Sequence, residues 1–274
     1  MARTSMTDLE GLRFVITGAA RGIGAATARL AARRGASVMV SDVDDGDGLR
    51  TVEAIRAAGG TAAYEHCDVS DPAQLQGLME ATADTFGGID VLYNNAGITE
   101  HAFTSDTSLE TMSVETFDRV YAINLRGPLL ATKYALPHLR RSDRASVINC
   151  GSTRSFLGYP DNLAYGSTKG GVALLTKNLA VDLAPYGIRV NCCCPGGTMT
   201  TSMRNRLEHA DDREELEWDL RSRSLLGRVG EAPEIAEVVC FLASDAASFV
   251  NGVVWLVDGG ALSWRDTIDI LGMR

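Results

Sequence analysis

The glycine-rich stretch from Gly18 to Gly24 restricts the possible folds of this chain more than any other feature. A run rich in β-branched residues, Arg13–Thr17, precedes it directly, and an alanine-rich helical pattern follows it to Arg34. A strand, a glycine-rich turn and a helix in this order form the first half of a dinucleotide-binding unit. The glycines let the backbone approach a pyrophosphate, which then sits at the positive end of the helix. The stretch therefore predicts an open α/β sheet with a nucleotide site at its edge.

The spacing of these glycines, Gly18-x-x-x-Gly22-x-Gly24, differs from the commoner GxGxxG fingerprint. A tight strand-to-helix turn without a ligand is the alternative, but the flanking strand and helix favour the nucleotide site. The second predicted strand, 37–41, ends at Asp42, about 20 residues past the glycines, where a carboxylate can hold both adenosine ribose hydroxyls. A solvated turn acid is the alternative for Asp42. Three nearby acids are expected to be solvated turn residues: Asp44, Asp45 and Asp47.

The rest of the chain alternates strand and helix patterns without a linker, repeat or low-complexity tract. Further strands are predicted over 61–66, 90–93, 145–150, 188–194 and 253–257, and helices over 72–86, 114–140, 162–184 and 233–243. The alternation predicts one doubly wound domain over 1–274, with a core at about 12–261 and a tail at 262–274. Two polar segments interrupt it: an insert at 99–113, and an Arg/Glu-rich segment at 198–227 that we expect to be a mobile helical cover.

Composition argues against several classes of partner. The 35 acidic and 26 basic residues give a net charge of −9, which disfavours nucleic acid and anionic membranes. No apolar run reaches transmembrane length, and the first ten residues lack the apolar core of a signal peptide. None of the six cysteines forms a CxxC pair. The spacing of the cysteines and the lack of a nearby histidine argue against a zinc site, so we expect no metal. We therefore expect a protein of the reducing cytoplasm.

Tyr165 and Lys169 suggest chemistry, because residues four apart on the predicted helix project from one face. A fixed ammonium beside a phenol favours the phenolate, which suits acid/base catalysis at neutral pH. Ser152, delivered to the same edge by the strand 145–150, can hydrogen-bond an oxygen where negative charge develops. Asn124 lies among apolar residues of the helix 114–140, where a structural amide is the alternative role. Alone, the Tyr–Lys pair is a weak signal.

Together these residues resemble the short-chain dehydrogenase/reductase family over about 12–261. The resemblance is carried by Thr17-Gly18-x-x-x-Gly22-x-Gly24, Asp68-Val69, Asn94-Asn95-Ala96-Gly97, Asn124, Ser152, Tyr165-x-x-x-Lys169, Pro195-Gly196 and Asp258-Gly259-Gly260. Several ordered motifs are more specific than any one alone. The resemblance implies a Rossmann-type domain with a seven-stranded parallel sheet in the order 3-2-1-4-5-6-7, flanked by helices.

The resemblance also implies a role for each matching residue. Tyr165 would be the acid/base, Ser152 would orient the reacting oxygen, and Asn124 would position a water of the proton relay. Lys169 would favour the phenolate and hold the nicotinamide ribose. Cofactor contacts are implied for Gly18, Arg21, Gly22, Ile23, Gly24, Asp42, Asp68, Val69, Asn95, Ala96, Gly97, Tyr165, Lys169, Pro195, Gly196, Thr198 and Thr200.

We therefore predict an NAD-dependent oxidoreductase that interconverts a secondary alcohol and a ketone by hydride transfer. The alternatives are an NADPH-dependent 3-oxoacyl-type ketoreductase and a catalytically silent nucleotide-binding regulator; an RNA-binding domain is disfavoured by the charge. Asp42 favours NAD, whereas Arg21 is a residue that NADP-preferring members often carry. Arg21 could instead pair with Asp42 or point into solvent. Because family members are commonly tetramers, we expect a homotetramer.

The substrate pocket is the least defined part of the prediction. Five residues flank Ser152, Tyr165 and the segment 198–227, and each could instead be a surface or packing residue: Arg154, Phe156, Tyr159, Met199 and Met203. Arg154 could pair with a substrate carboxylate. The apolar residues of the tail, among them Trp264 and Ile268, are predicted to pack on a neighbouring subunit or on their own subunit.

Overall fold

Seven parallel strands form the central sheet of the protein, of which the computed structural model describes residues 8–263 apart from the side chain of residue 202. The strands are β1 (Arg13–Thr17), β2 (Ser37–Asp42), β3 (Thr61–His66), β4 (Val91–Asn94), β5 (Ser146–Cys150), β6 (Arg189–Pro195), β7 (Thr198–Met199), β8 (Gly230–Glu231) and β9 (Val254–Val257). The sheet order is β3-β2-β1-β4-β5-β6-β9, which confirms the predicted sheet. The predicted seventh strand is β9, because β7 and β8 pair only with each other.

Nine α-helices lie between the strands of the described chain. They are α1 (Gly22–Arg33), α2 (Asp45–Ala57), α3 (Pro72–Phe86), α4 (Val114–Tyr121), α5 (Gly127–Leu139), α6 (Leu163–Leu183), α7 (Thr201–Glu208), α8 (Arg213–Ser222) and α9 (Ala232–Ala243). A π-helical turn, Ala122–Arg126, joins α4 to α5, so the predicted helix 114–140 is continuous but locally widened at Asn124. Such turns are common at functional sites.

The helices cover both faces of the sheet, as strand alternation requires. Phe14 and Ile16 of β1 pack with residues of α1, α2 and α9, whereas Val15 packs with residues of α3, α5 and α6. Each of these fully buried side chains stabilises the fold by about 1.5–3 kcal/mol. The strand order reverses between β1 and β4, so a crevice opens at their carboxyl ends, where ligands of such sheets bind.

Helix α2 was not predicted, and the expectation of three solvated turn acids was wrong in part. The Asp44 side chain caps α2 by accepting from Asp47 N at 3.0 Å, and Asp47 lies in the first turn. Acids are favoured there because they satisfy free N–H groups and complement the helix dipole. Gly48 concealed the helix, but a Cβ there would lie 2.6 Å from Cδ2 of Tyr64. Asp45 alone of the three remains largely exposed.

Two further expectations concern the segment 198–227 and the tail. The segment is helical as predicted, since it contains α7 and α8, and its mobility stays a prediction. The packing predicted for the tail concerns residues 264–274, which lie outside the described residues. Between residues 8 and 263, no helix combines the length and apolar character needed to cross a membrane.

Candidate active site

The glycine turn and the segment after β4 pack backbone against backbone at the crevice. Asn95 Nδ2 donates to Thr17 O at 3.0 Å and to Gly18 O at 2.7 Å. A Cβ at Gly18, whose φ is +63°, would lie 2.7 Å from Cα of Ala96, and one at Gly24 would lie 2.6 Å from Asn95 Nδ2. These two glycines are therefore required by packing, independently of any ligand.

The start of α1 is open to an anion. Among the described residues, no side chain caps α1, in contrast to α2, α3 and α4, and the first turn of α1 carries no acid. The first N–H groups of a helix have no partner within the helix, and the helix dipole favours negative charge there. Gly22 faces a large cavity at this point, and a Cβ on it would approach Thr200 Cγ2 to 3.4 Å.

A cavity of about 330 Å³, here called the distal cavity, lies at the end of β2. Its wall includes Gly18, Arg21, Asp42, Val43, Cys67, Asp68, Val69, Asn95, Ala96, Gly97, Ile98 and Ile123. Asp42 Oδ2 accepts from Ala20 N at 2.9 Å, and Oδ1 accepts from Val43 N at 2.8 Å. The carboxylate is thus fixed at the strand end rather than free in a solvated turn.

Arg21 neither pairs with Asp42 nor points free into solvent, although both were open from the sequence. Its guanidinium lies 3.1 Å from Asp44 Oδ2 and 3.1 Å from Asp47 Oδ2. Asp47 also pairs with Arg50. The unpredicted helix α2 supplies both partners of Arg21, so two carboxylates compete with any phosphate for this arginine.

A cavity of about 880 Å³, here called the central cavity, contains the predicted Tyr–Lys pair. Its wall includes Arg21, Gly22, Ile23, Asn95, Gly97, Ile98, Thr99, His101, Ala102, Cys150, Tyr165, Lys169, Thr200, Thr201 and Asn205. Lys169 is only 3% exposed, and its Nζ donates to Cys150 O at 2.7 Å. Nζ lies 5.6 Å from the centre of the Tyr165 ring.

The environment of Lys169 favours its charged form. Burial opposes the ammonium, but its electrostatic interactions with Tyr165 and with the neighbouring Cys150, Cys192 and Cys194 outweigh burial, and the pKa of Lys169 lies above its ordinary value. The site therefore holds a fixed positive charge beside the phenol at neutral pH.

Glu100 is a site residue that the sequence did not reveal. It is 0% exposed, and its carboxylate accepts from Ala164 N at 3.0 Å and from Tyr165 N at 3.3 Å. The N-cap residue of α6, Asn162, makes no side-chain capping bond. Glu100 therefore caps the helix that carries Tyr165 from 64 residues away in the chain.

Ser152 is held next to Lys169 through Ser155. Ser155 Oγ donates to Lys169 O at 2.8 Å and accepts from Ser152 N at 3.2 Å. Ser152 Oγ accepts from Arg154 N at 3.2 Å. The buried Ser152 side chain is not part of the wall of the central cavity as defined above.

Asn124 is a buried amide with three partners. Oδ1 accepts from Ile98 N at 2.9 Å, and Nδ2 donates to Ile98 O at 2.8 Å and to Thr168 Oγ1 at 3.1 Å. The side chain therefore fastens the segment after Gly97 to α6, which is the structural role left open by the sequence. Its proposed water in a proton relay stays a prediction.

A third cavity, of about 540 Å³ and here called the basic cavity, adjoins the central one. Its wall consists of Thr99, His101, Arg154, Asn162, Thr200, Met203 and Arg206. Two of the five substrate candidates, Arg154 and Met203, are thus brought together here. Phe156, Tyr159 and Met199 line none of the three cavities, although Tyr159 lies under the Arg154 guanidinium, 4.0 Å from ring centre to Cζ.

Three of the predicted cofactor residues at and after the end of β6, Pro195, Gly196 and Thr198, lie outside these walls. A Cβ at Gly196 would lie 2.7 Å from Cα of Asp258, and Thr198 Oγ1 donates to Gly196 O at 3.0 Å. Pro195 ends β6 and is buried. Thr200 caps α7 by accepting from Met203 N and belongs to both the central and the basic cavity.

The thiols form a buried group behind the site. Cys192, Cys193 and Cys194 of β6 are fully buried, and the Sγ atoms of Cys192 and Cys194 lie 3.6 Å apart. Cys150 reaches the central cavity. All six cysteines are free, and the described residues contain no group of His, Cys, Asp and Glu that could hold a metal ion.

The distal and central cavities fit a nicotinamide dinucleotide. They share four residues and form one trench: Arg21, Asn95, Gly97 and Ile98. The trench has a fixed carboxylate at one end, an uncapped helix start in the middle and a buried ammonium at the other end. These groups match a ribose, a pyrophosphate and a second ribose in that order.

A family model described as enoyl-(acyl carrier protein) reductase matches residues 18–261. The chain belongs to the short-chain dehydrogenase/reductase family. It is 41% identical to cis-4-hydroxycyclohexanecarboxylate dehydrogenase of Sinomonas cyclohexanicum, over 90% of this chain and 94% of that protein. It is 37% identical to cyclopentanol dehydrogenase of Comamonas testosteroni, over 90% of this chain and 95% of that protein.

A solved structure confirms the architecture. The crystal structure of a dehydrogenase/reductase from Sinorhizobium meliloti 1021 matches with a TM-score of 0.84 and 35% identity, over 94% of this chain and 99% of that chain. As a short-chain dehydrogenase/reductase, the protein is an oxidoreductase that acts on alcohols or ketones with a nicotinamide nucleotide.

Proposed function

We propose that this short-chain dehydrogenase/reductase is an NAD-dependent dehydrogenase that interconverts a secondary alcohol and a ketone. The observation that carries the proposal is the trench from Asp42 to Lys169, with Tyr165 at its reacting end. The two named relatives are dehydrogenases of cyclic secondary alcohols by their names, which supports the same class of substrate here.

The proposed chemistry assigns proton transfer to residues of α6. Bound NAD supplies the acceptor for the hydride that leaves the alcohol carbon. Tyr165 Oη takes the hydroxyl proton during oxidation and returns it during reduction. Lys169 Nζ gives one hydrogen to Cys150 O, and its two remaining hydrogens are available to the hydroxyls of the cofactor ribose.

Ser152 is proposed to orient the reacting oxygen. Its Oγ accepts from Arg154 N, so its own hydroxyl hydrogen remains available as a donor. A hydrogen bond to an oxygen that gains negative charge stabilises the transition state more than the ground state. Asn124 and Glu100 are proposed to keep α6 and the segment after Gly97 in place around this centre.

Asp42 and Arg21 together support NAD rather than NADP. Two unit charges about 4 Å apart interact by roughly 4 kcal/mol at an effective dielectric near 20. After screening by solvent and salt, we expect Asp42 to disfavour a 2′-phosphate by about 1.5–3 kcal/mol. Arg21 offsets this less than its charge suggests, because Asp44 and Asp47 already pair with it.

The apolar surface of α4 and α6 supports the proposed homotetramer. Val181 and Leu174 of α6 are 73% and 61% exposed, and Val114 of α4 is 70% exposed. Leu174 lines one surface groove with Tyr121 of α4, and apolar groups gathered between helices commonly mark a subunit interface. We propose the cytoplasm as the location because all six cysteines are free.

The proposal is tested by oxidation of a panel of secondary alcohols with NAD, including cyclopentanol and cis-4-hydroxycyclohexanecarboxylate. Replacement of Tyr165 by Phe should lower kcat at least ~10²-fold while NAD still binds, because only the acid/base is lost. Tyr186→Phe, an exposed tyrosine beside Arg140, is the matched control. NAD binding without turnover of any alcohol or ketone would favour the silent regulator.

A further inference from the structure

The basic cavity concentrates positive charge beside the reacting centre. Three of its seven wall residues can carry positive charge, namely Arg154, Arg206 and His101, and none is an Asp or Glu. The chain as a whole has nine more acidic than basic residues. The cavity is therefore positively charged in a chain whose net charge is negative. A concave surface strengthens the electrostatic field of such a cluster of cations.

Neither arginine of the cavity has a carboxylate partner between residues 8 and 263. Among the described residues, the Arg206 side chain makes no hydrogen bond or ion pair, and Arg154 makes one hydrogen bond, to Thr153 Oγ1 at 3.3 Å. Arg204, on the same helix as Arg206, pairs instead with Glu231 at 3.1 Å. On helix α7, the arginine that lies in the cavity wall therefore lacks a carboxylate partner, whereas the arginine outside the wall has one.

The Arg154 guanidinium is already oriented. Its Cζ lies over the Tyr159 ring, 4.0 Å from the ring centre. Stacking fixes the plane of the guanidinium and leaves its edge available for a bidentate oxyanion. An oriented donor loses less entropy on binding.

The basic cavity also communicates with the site of chemistry. It shares Thr99, His101 and Thr200 with the central cavity, which contains Tyr165. Arg154 N donates to the Oγ of Ser152, the residue proposed to orient the reacting oxygen. A molecule whose hydroxyl lies at Tyr165 therefore extends directly toward the two arginines.

We propose that the basic cavity binds an oxyanion group of the substrate, with Arg154 and Arg206 as its ligands. This inference rests on the proposed function and names its substrate class, which is a small secondary alcohol that carries a carboxylate or a sulfonate. Met203 supplies the apolar part of the same wall and packs on the hydrocarbon between the two polar ends.

The first test measures binding without turnover. Isothermal titration of cyclohexanecarboxylate, cyclohexanesulfonate and cyclohexanecarboxamide is carried out on the enzyme saturated with NAD. We expect at least one anion to bind at least ~10-fold more tightly than the neutral amide. Arg154→Gln and Arg206→Gln should each weaken that anion at least ~10-fold, whereas Arg204→Gln, the paired arginine on the same helix, should not.

The second test measures turnover of 3-hydroxycyclohexanecarboxylate and of its methyl ester. Wild-type kcat/KM should favour the acid, and Arg206→Gln should reduce that preference at least ~10-fold. Equal binding of the anions and the amide, or anion binding unchanged in both cavity variants, would overturn the anion site. Arg-dependent anion binding without oxidation of any alcohol would keep the anion site and refute the proposed function.

Discussion

Replacement of Glu100 tests whether a buried carboxylate positions the catalytic helix. A side chain that caps a helix contributes about 0.5–2 kcal/mol. A negative charge at a helix start adds about 0.3–1 kcal/mol at exposed sites and up to ~2 kcal/mol where it is partly buried. Glu100 is fully buried, so the upper part of both ranges applies to it.

Two substitutions separate these contributions. Glu100→Gln keeps an oxygen that can accept from Ala164 N but loses the charge, so it should destabilise the fold by about 1–2 kcal/mol. Glu100→Ala also leaves N–H groups of Ala164 and Tyr165 without their acceptor, and the total should reach about 2–4 kcal/mol.

Activity should respond differently from cofactor binding. The first turn of α6 holds Tyr165, and a shift of a reacting group by about 1 Å can lower a rate on the order of 10²-fold. We therefore expect Glu100→Gln to lower kcat about 5- to 50-fold. Lys169 keeps its own anchors, Cys150 O and Ser155 Oγ, so the affinity for NAD should change little.

The assay combines urea unfolding, steady-state kinetics and titration with NAD for each variant. Glu110→Gln is the matched control, because Glu110 lies in the same insert and is exposed. A Glu100→Gln protein with the unfolding free energy and kcat of the Glu110→Gln protein would refute the reasoning. Equal losses of kcat and NAD affinity would show general damage to the fold instead of a positioning role.

Three further predictions address cofactor choice, acid stability and assembly. Wild-type kcat/KM should be at least ~10-fold higher with NAD than with NADP, and Asp42→Ala should reduce or reverse this preference for NAD. Asp45→Ala, at an exposed acid, is the control. Equal wild-type kcat/KM with the two cofactors would support the NADPH ketoreductase. Burial alone would raise the pKa of Asp90, but hydrogen bonds from Arg13 and Ser142 lower it below its ordinary value. This stabilisation is present above the unfolded pKa of about 3.9 and is lost as pH falls through the lower folded value. In urea unfolding at neutral pH, wild type should therefore have a larger free energy of unfolding than Asp90→Asn, and this difference should disappear as pH falls below about 4. A difference that persists in acid would contradict this prediction. Val181→Glu should reduce the mass of the oligomer in light scattering, because it places a charge on the apolar face of α6; an unchanged mass would exclude that face.

Much of the sheet was predictable because its strands carry their signal locally. The run Arg13–Thr17 combines β-branched residues with a glycine stop, and the predicted bounds of β1, β3 and α3 coincide with the observed ones. Parallel strands buried on both faces give short apolar runs that stand out between helices. The order of the strands came from the resemblance to a family and not from periodicity.

The unpredicted parts depend on contacts between distant residues. Glu100 lies in a polar insert, and nothing around it indicates that its partners are the N–H groups of Ala164 and Tyr165. Helix α2 was missed because Gly46 and Gly48 weaken its local pattern, although Tyr64 requires the second of them. The partners of Arg21 were missed with it. The sequence does not indicate Ser155, because its hydrogen bond to Lys169 O forms only when the chain folds.

Of the six thiols, one is accessible to chemical labelling in the folded protein. Cys67, Cys192, Cys193, Cys194 and Cys240 are at most 2% exposed, and burial raises the pKa of Cys67 and of Cys240 to about 12. Alkylating reagents need access to the sulfur, and Cys150 is half-buried and lies in the wall of the central cavity, so it is the position that they reach in the native state. A fluorophore attached there sits in the wall of the central cavity beside Lys169. Its emission would follow the filling of the cavity, while labelling of the other five thiols would follow global unfolding.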